Sequence, residues 1–73
     1  MGDNTMIGKV SLAGARTSAC LTQADLADKL GVSRVSVNQW ETGKASIKPA
    51  YLYAICYICG FKTDDIFLPH ELT

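Results

Sequence analysis

Residues 21–43 read LTQADLADKLGVSRVSVNQWETG, and they contain the same helix-start pattern twice. Thr22 and Ser33 both suit an N-cap, because a side-chain oxygen there accepts an unpaired N–H of the first helical turn. Each has an apolar residue directly before it and another four positions after it, the arrangement of a hydrophobic staple. Gly31 suits the left-handed position that ends the first helix. The stretch therefore predicts two helices joined by a turn of about three residues, which is helix-turn-helix geometry.

Helical spacing assigns the faces of both helices. The predicted inward residues are Leu26, Ala27 and Leu30 on the first helix and Val37, Trp40 and Glu41 on the second. The residues left outside on the second helix are Arg34, Val35, Asn38 and Gln39. These side chains suit base edges in a DNA major groove, since Arg pairs with guanine, Asn or Gln pairs with adenine, and an aliphatic group contacts the thymine methyl. The second helix is thus a candidate recognition helix.

The same stretch resembles the helix-turn-helix of phage repressor and Cro-like regulators, also called the xenobiotic response element family. The shared elements are Leu-Thr-Gln at 21–23, Leu-Ala at 26–27 before Gly-Val-Ser at 31–33, and Trp-Glu-x-Gly-Lys at 40–44. Arg16 and residues 60–67 also fall on family positions, so the resemblance covers most of the chain. It implies an all-α fold of five short helices, a lambda-repressor-like DNA-binding domain with the helix-turn-helix at helices 2 and 3.

The resemblance also implies roles for individual residues. Gln23 would contact a phosphate and brace the recognition helix, and the Arg16 guanidinium would pair with the Glu41 carboxylate. Arg34 and Val35 would face bases. The full predicted DNA-binding set is Gln23, Arg34, Val35, Ser36, Asn38, Gln39 and Lys44.

Composition and charge limit how such a protein could bind DNA. The chain has 73 residues, 48% of them hydrophobic, so it can bury a core but is near the size at which a single core is marginal. Its formal net charge is zero, yet four cations and one anion lie between Lys29 and Lys48. We therefore expect a local basic face on a neutral body, weak binding of double-stranded DNA by the monomer, and action as a homodimer or as a heteromer with another regulator.

Turn and capping signals divide the chain into a flexible lead-in at 1–10, a domain at 11–68 and a tail at 69–73. Helices are predicted from about Leu12 to Ala19, from Pro49 to Cys59, and as a short fifth helix over Thr63–Phe67. The N-cap of the fifth helix is either Thr63 or absent. Cys20, between the first two helices, is predicted to be small, apolar and partly buried.

The helix over Pro49–Cys59 departs from the family, which usually has polar residues on its outer faces. Its core stripe is predicted to consist of Leu52, Ile55, Cys56 and Cys59, at helical spacing. Its remaining faces are also apolar, and they supply a candidate partner interface of Tyr51, Tyr53, Tyr57 and Ile58. The alternative is that the tyrosines lie flat with their hydroxyls in water.

Other kinds of chemistry have little support. Cys56-x-x-Cys59 with Cys20 and His70 could form a Cys3His set, but the pair lies inside an apolar helix that lacks a knuckle loop. There is no Ser–His–Asp grouping, no carboxylate pair in an apolar pocket and no Gly-rich phosphate loop. We therefore predict no enzymatic activity, no metal, no cofactor and no small-molecule substrate.

No run of 18 apolar residues is present, and residues 1–10 lack the apolar core of a signal peptide. The sequence accordingly predicts neither a membrane span nor a signal peptide, and it favours the cytoplasm of a bacterium or of a phage-infected host.

Two functions fit these observations. The first is a small sequence-specific DNA-binding transcription regulator that resembles phage Cro and short repressors, with the third helix in the major groove. The second is an antirepressor or co-repressor that acts by binding another regulator through the apolar surface of the fourth helix.

Overall fold

The computed structural model describes residues 9–68, and it contains four α-helices followed by a single 3-10 turn. The helices are α1 (Leu12–Ser18), α2 (Gln23–Leu30), α3 (Arg34–Thr42) and α4 (Pro49–Cys59), and the 3-10 turn spans Thr63–Asp65. No strand longer than an isolated bridge occurs within residues 9–68. The predicted all-α class is therefore confirmed. The lead-in before Lys9 and the tail after Leu68 lie outside the described residues.

The helix-turn-helix forms through the local hydrogen bonds that the sequence predicts. The Thr22 hydroxyl accepts from the Asp25 amide at 3.0 Å, and the Asp25 carboxylate accepts from the Thr22 amide at 3.0 Å, which completes a capping box. This backbone hydrogen bond lowers the pKa of Asp25 below its usual value. The Ser33 hydroxyl caps α3 by accepting from the Ser36 amide. Gly31, with φ of 72°, ends α2 and begins the three-residue turn.

The core lies where all four helices meet. α2 packs mainly against α3, and α4 packs mainly against α1. The buried residues are Leu12, Ala15, Leu26, Ala27, Val37, Trp40, Ile55, Cys56 and Ile66. Because Val37 and Trp40 are buried, α3 is held with one fixed edge toward solvent. Of the predicted α4 stripe, Ile55 and Cys56 are buried, while Leu52 and Cys59 are half-buried at its margins.

The predicted fifth helix is wrong beyond its first turn. Helical conformation ends at Asp65, and Ile66 is extended, with φ of −114° and ψ of 131°. Ile66 forms a parallel bridge with Val10: the Val10 amide donates to the Asp65 carbonyl at 2.8 Å, and the Phe67 amide donates to the Val10 carbonyl at 3.0 Å. These backbone groups are then unavailable to a helix. Val10, which the turn and capping signals assign to the lead-in, is thereby joined to the domain.

The N-cap residue of the 3-10 turn supplies no capping side chain. Lys62 occupies the N-cap position, and its amide donates to the Asp65 carboxylate at 3.1 Å. Of the two alternatives that the sequence left open, the structure therefore shows the one without a capping side chain.

The expectation for Cys20 is also wrong, because this residue is exposed. Its φ is 62°, in the left-handed region. The Cys20 amide donates to the Thr17 carbonyl at 2.9 Å and the Leu21 amide donates to the Arg16 carbonyl at 3.2 Å, the two bonds of a Schellman motif. Cys20 is thus the residue that reverses the chain at the surface, and Leu21 is the one that packs against the core.

Replacing Cys20 with glycine is expected to raise the free energy of unfolding. α2, α3 and α4 end at Gly31, Gly43 and Gly60, all with positive φ, and only α1 ends with a side chain in that conformation. The left-handed conformation costs an L-residue roughly 1–2 kcal/mol, and the extra unfolded-state entropy of glycine offsets about 0.4–1 kcal/mol of that. Urea unfolding should show a net gain of between about 0 and about 1.6 kcal/mol. Cys20→Ala, which keeps Cβ, should have a free energy of unfolding near that of the wild type. A glycine variant less stable than the alanine variant would contradict the inference that Cys20 is strained in the left-handed conformation.

Candidate nucleic-acid interface

The outward edge of α3 consists of the residues that the sequence predicts to read bases. Arg34, Val35, Asn38 and Gln39 are all exposed. Val35 is 60% exposed, although it is apolar, whereas Val37, two positions further on, is 1% exposed. The helix therefore has one sharply divided apolar side and one side with donors, acceptors and a single aliphatic group.

Gln23 connects this edge to the start of α2. A shallow groove between the two helices is lined by Gln23, Arg34, Val35 and Asn38. A wider groove continues from Arg34 across the first turn of α2 to the end of α1, where Thr17 and Cys20 line it. Amides at a helix N-terminus favour an anionic group such as a phosphate. The sequence gives no sign of the α1 end of this surface, because no local motif marks it.

Glu41 is the central acceptor of a network that joins three elements. The Arg16 Nε donates to Glu41 Oε2 at 2.6 Å, and a second guanidinium nitrogen donates to Oε1 at 3.2 Å. The Gln23 side-chain amide also donates to Glu41 Oε1, at 2.9 Å. A further guanidinium nitrogen of Arg16 donates to the Leu21 carbonyl at 2.9 Å. The network therefore ties α1, the start of α2 and the end of α3 into one arrangement.

The ion pair at the centre of this network is largely shielded from solvent. The Arg16 and Glu41 side chains are only 13% and 6% exposed. The hydrogen bond to Glu41 raises the pKa of Arg16 above its ordinary value. A two-bond guanidinium–carboxylate contact also fixes orientation as well as distance. Because the third partner is Gln23, the same carboxylate that orients α3 also orients the residue predicted to contact a phosphate.

The network changes the electrostatics of the neighbouring surface. Glu41 is the single anion between Lys29 and Lys48, and its charge is matched by the Arg16 guanidinium. The four cations of that segment, Lys29, Arg34, Lys44 and Lys48, are all exposed. The segment therefore presents positive charge to solvent in a chain whose formal net charge is zero.

The remaining predicted DNA-binding residues lie near this edge in different environments. Ser36 is half-buried, and its hydroxyl lies 3.1 Å from the Ser33 hydroxyl, so it takes part in the N-terminal capping of α3. Lys44 is exposed directly after Gly43, where α3 ends.

The predicted partner interface on α4 is divided by the fold. Tyr51 is half-buried against Trp40, with ring centroids 5.2 Å apart and planes tilted by 30°, and Ile58 packs against the core. Both are held within the domain because α4 crosses the core at these positions. Tyr53 and Tyr57, which are 62% and 90% exposed, are the two large apolar side chains of the patch that remain on the surface.

The cysteines do not converge on one point. Cys20 is exposed at the end of α1, while Cys56 is buried and Cys59 half-buried on α4. Burial raises the pKa of the thiols of both α4 cysteines. Among residues 9–68, no three His, Cys, Asp or Glu residues are grouped as metal ligands, and His70 lies outside the described residues. No helix within the same range is long and apolar enough to cross a membrane.

The fold and this edge define a helix-turn-helix domain of the Cro/C1 type, and residues 12–66 match the family described as helix-turn-helix. The chain belongs to this family, as its resemblance to phage repressors and Cro-like proteins implied. A relative in Methanocaldococcus jannaschii, described as an uncharacterized HTH-type transcriptional regulator, is 44% identical over 48 residues, which cover 66% of this chain and 73% of the relative. No solved structure matches the chain significantly.

Proposed function

We propose that the protein is a sequence-specific DNA-binding transcription regulator that places α3 in the major groove. Arg34, Val35 and Gln39 read base edges, with Asn38 assisting. Gln23 and Lys44 contact backbone phosphates and so fix the register of α3 on the duplex. The single observation that carries this proposal is the exposed polar edge of α3, held outward by the buried network of Arg16, Gln23 and Glu41.

The setting in which the regulator acts follows from its family and its motifs. Family membership and the relative's name support a transcription regulator, and the motif set resembles phage Cro and short repressors. From that resemblance alone we further propose that it acts in the cytoplasm of a bacterium or of a phage-infected host, as a dimer on an operator with two half-sites. Dimerisation compensates for the zero net charge, because two basic segments then contact one duplex.

Selection from random duplexes at low salt tests the function directly. The purified protein should enrich a defined half-site, and its affinity for that site should fall steeply as salt increases, since each neutralised phosphate releases counterions. A variant with Arg34, Asn38 and Gln39 all replaced by alanine is the matched control, because these exposed residues are not part of the core. It should fold but lose the distinction between selected and scrambled duplexes. A failure to bind any duplex at low salt would contradict the proposal.

Lys44→Ala should lower the affinity for selected and scrambled duplexes by the same factor. A lysine that contacts phosphate carries no sequence information, so its loss reduces the slope of log affinity against log salt by about 1 without altering specificity. Fluorescence anisotropy titrations at several salt concentrations measure both quantities. Lys62→Ala, at an exposed lysine outside the basic segment, should leave the slope unchanged. A change in specificity with Lys44→Ala would show that this residue is a base reader instead.

The exposed tyrosines of α4 favour a second candidate function, an antirepressor or co-repressor that docks onto another regulator. This function predicts no DNA binding by the purified chain even at low salt, or binding that requires the second protein. The same titrations, repeated with regulators encoded at the same locus, separate it from the first candidate.

A further inference from the structure

The wider groove beside the recognition helix ends on α1, where none of the proposed DNA contacts lies. It begins at Arg34, crosses the first turn of α2 and ends at Thr17 and Cys20. Of the residues proposed to contact DNA, Gln23 and Arg34 line this groove. Thr17 and Cys20 are both exposed, and neither belongs to the core. The α1 end is therefore a surface that the proposed contacts leave unused.

Local backbone geometry and hydrogen bonding fix the shape of the α1 end. Cys20, with a φ of 62°, is the exposed residue of the Schellman motif. The Thr17 hydroxyl donates to the Gly14 carbonyl at 3.1 Å, which holds the Thr17 side chain against its own helix. Ser18 is also exposed but does not line the groove, since consecutive positions of an α-helix point about 100° apart. Thr17 and Ser18 therefore form a matched pair, one inside the groove and one outside it.

The charge of the groove suits an anion. Among the described residues, its lining contains two guanidinium groups, those of Arg16 and Arg34, and no carboxylate. The Arg16 charge is matched by Glu41, whereas Arg34 is exposed. The positive charge of the groove is thus concentrated at its α3 end, and its α1 end is neutral. A phosphodiester strand would meet attraction at one end of the groove and no like-charge repulsion at the other.

The width of a DNA major groove would bring one strand of the duplex to this surface. An α-helix with its side chains is about 10–12 Å across, and the major groove is about 12 Å wide. When α3 occupies a major groove, the surface beside its first turn therefore meets the phosphodiester strand that forms the wall. Arg34 is the first residue of α3, and the first turn of α2 lies beside it. The strand is a convex ridge, and the surface that faces it is concave.

We propose that this groove receives the strand, with Arg34 on its inner side, the first turn of α2 beneath it, and Thr17 and Cys20 of α1 as its outer wall. This inference rests on the proposed function, because α3 in the major groove is what brings the strand to the groove. It adds a backbone contact by α1 to those of Gln23 and Lys44. Such a contact carries no sequence information, so it raises the affinity for every duplex. It also leaves Cys20 covered in the complex.

Lysine substitutions at the matched pair test the contact. Thr17→Lys should raise the affinity for selected and scrambled duplexes by the same factor. It should also steepen the slope of log affinity against log salt by about 1, because one more phosphate is neutralised. Ser18→Lys adds the same charge one position further along α1, outside the groove, and should change the slope much less. Fluorescence anisotropy titrations at several salt concentrations measure both quantities. Equal slopes for the two variants would indicate general attraction to the added charge and would overturn the contact.

The exposed thiol of Cys20 reports on the outer wall without any substitution. Iodoacetamide should alkylate Cys20 in the free chain, and peptide mass spectrometry measures the adduct at this residue alone. Selected duplex at about 100 times its Kd should slow this alkylation by about 100-fold, because the rate then follows the fraction of chain that is free. The double variant Cys20→Ala/Ser18→Cys is the control. It moves the thiol outside the groove, and the duplex should leave its alkylation rate nearly unchanged.

The possible failures are distinguishable. Absence of binding to any duplex at low salt would count against the proposed function itself. Binding of the selected duplex with an unchanged rate of Cys20 alkylation would overturn the outer wall and leave DNA binding intact. Equal protection of the thiols at positions 18 and 20 would overturn the placement of the strand within the groove.

Discussion

Replacing Glu41 with alanine is expected to lower the free energy of unfolding by about 3 kcal/mol, because removal of one member of a buried ion pair leaves the other charge without compensation. The Arg16 guanidinium would keep its hydrogen bond to the Leu21 carbonyl but lose both bonds to the carboxylate. The Gln23 side-chain amide would lose its acceptor as well. Since small domains are stable by about 5–15 kcal/mol, urea unfolding should show a large shift of the midpoint.

Two further variants separate charge from packing. Glu41→Gln retains an acceptor oxygen for Gln23 and should lose less stability than Glu41→Ala. The double variant Arg16→Met/Glu41→Leu removes both charges and fills the space with apolar groups, so it should recover most of the loss. If Glu41→Ala unfolded at the wild-type urea concentration, the pair would be too well solvated to hold the helices together.

Replacing Arg34 with alanine is expected to relax the choice of one base pair, at a cost of about 1–3 kcal/mol on the selected site. Arg34 lies exposed at the first position of α3, where a guanidinium can donate two hydrogen bonds to guanine. The affinity for scrambled duplexes should fall much less, because there Arg34 can contact a phosphate at most. Repeating the duplex selection with the variant identifies the relaxed position, and anisotropy titration gives the cost.

Val35→Ala is the matched comparison at the neighbouring exposed position. It removes only methyl groups, so any loss should be confined to a site with thymine at the corresponding base pair. Equal losses by Arg34→Ala on selected and scrambled duplexes would assign the guanidinium to the backbone. Near-wild-type urea unfolding of both variants would verify that the changes concern binding, since neither side chain belongs to the core.

The helix-turn-helix was predictable because its determinants are close in sequence. The capping bonds of Thr22 and Ser33 and the left-handed Gly31 each involve residues within one turn. The bounds of α4 were predictable for the same reason, with Pro49 at its start and Gly60 after its end. The exposed edge of α3 followed from helical spacing once Val37 and Trp40 were placed inside.

Other features depended on residues far apart in the chain. Helical conformation ends at Asp65 because Val10, from the other end of the domain, forms backbone hydrogen bonds with the Asp65 carbonyl and the Phe67 amide. The resemblance implied the pairing of Arg16 with Glu41, but the shared use of the carboxylate by Gln23 required the positions of three helices.

The sequence by itself determined the class of fold, the helix starts and ends around the turn, and the identity of the residues on the outer edge of α3. Only the tertiary structure decided which apolar residues stay outside: Tyr51 packs on Trp40, Tyr53 and Tyr57 remain exposed, and Cys20 turns the chain at the surface. The physical reason is the range of the interactions. Caps and helical periodicity act over a few residues, whereas burial depends on which distant element covers a given face.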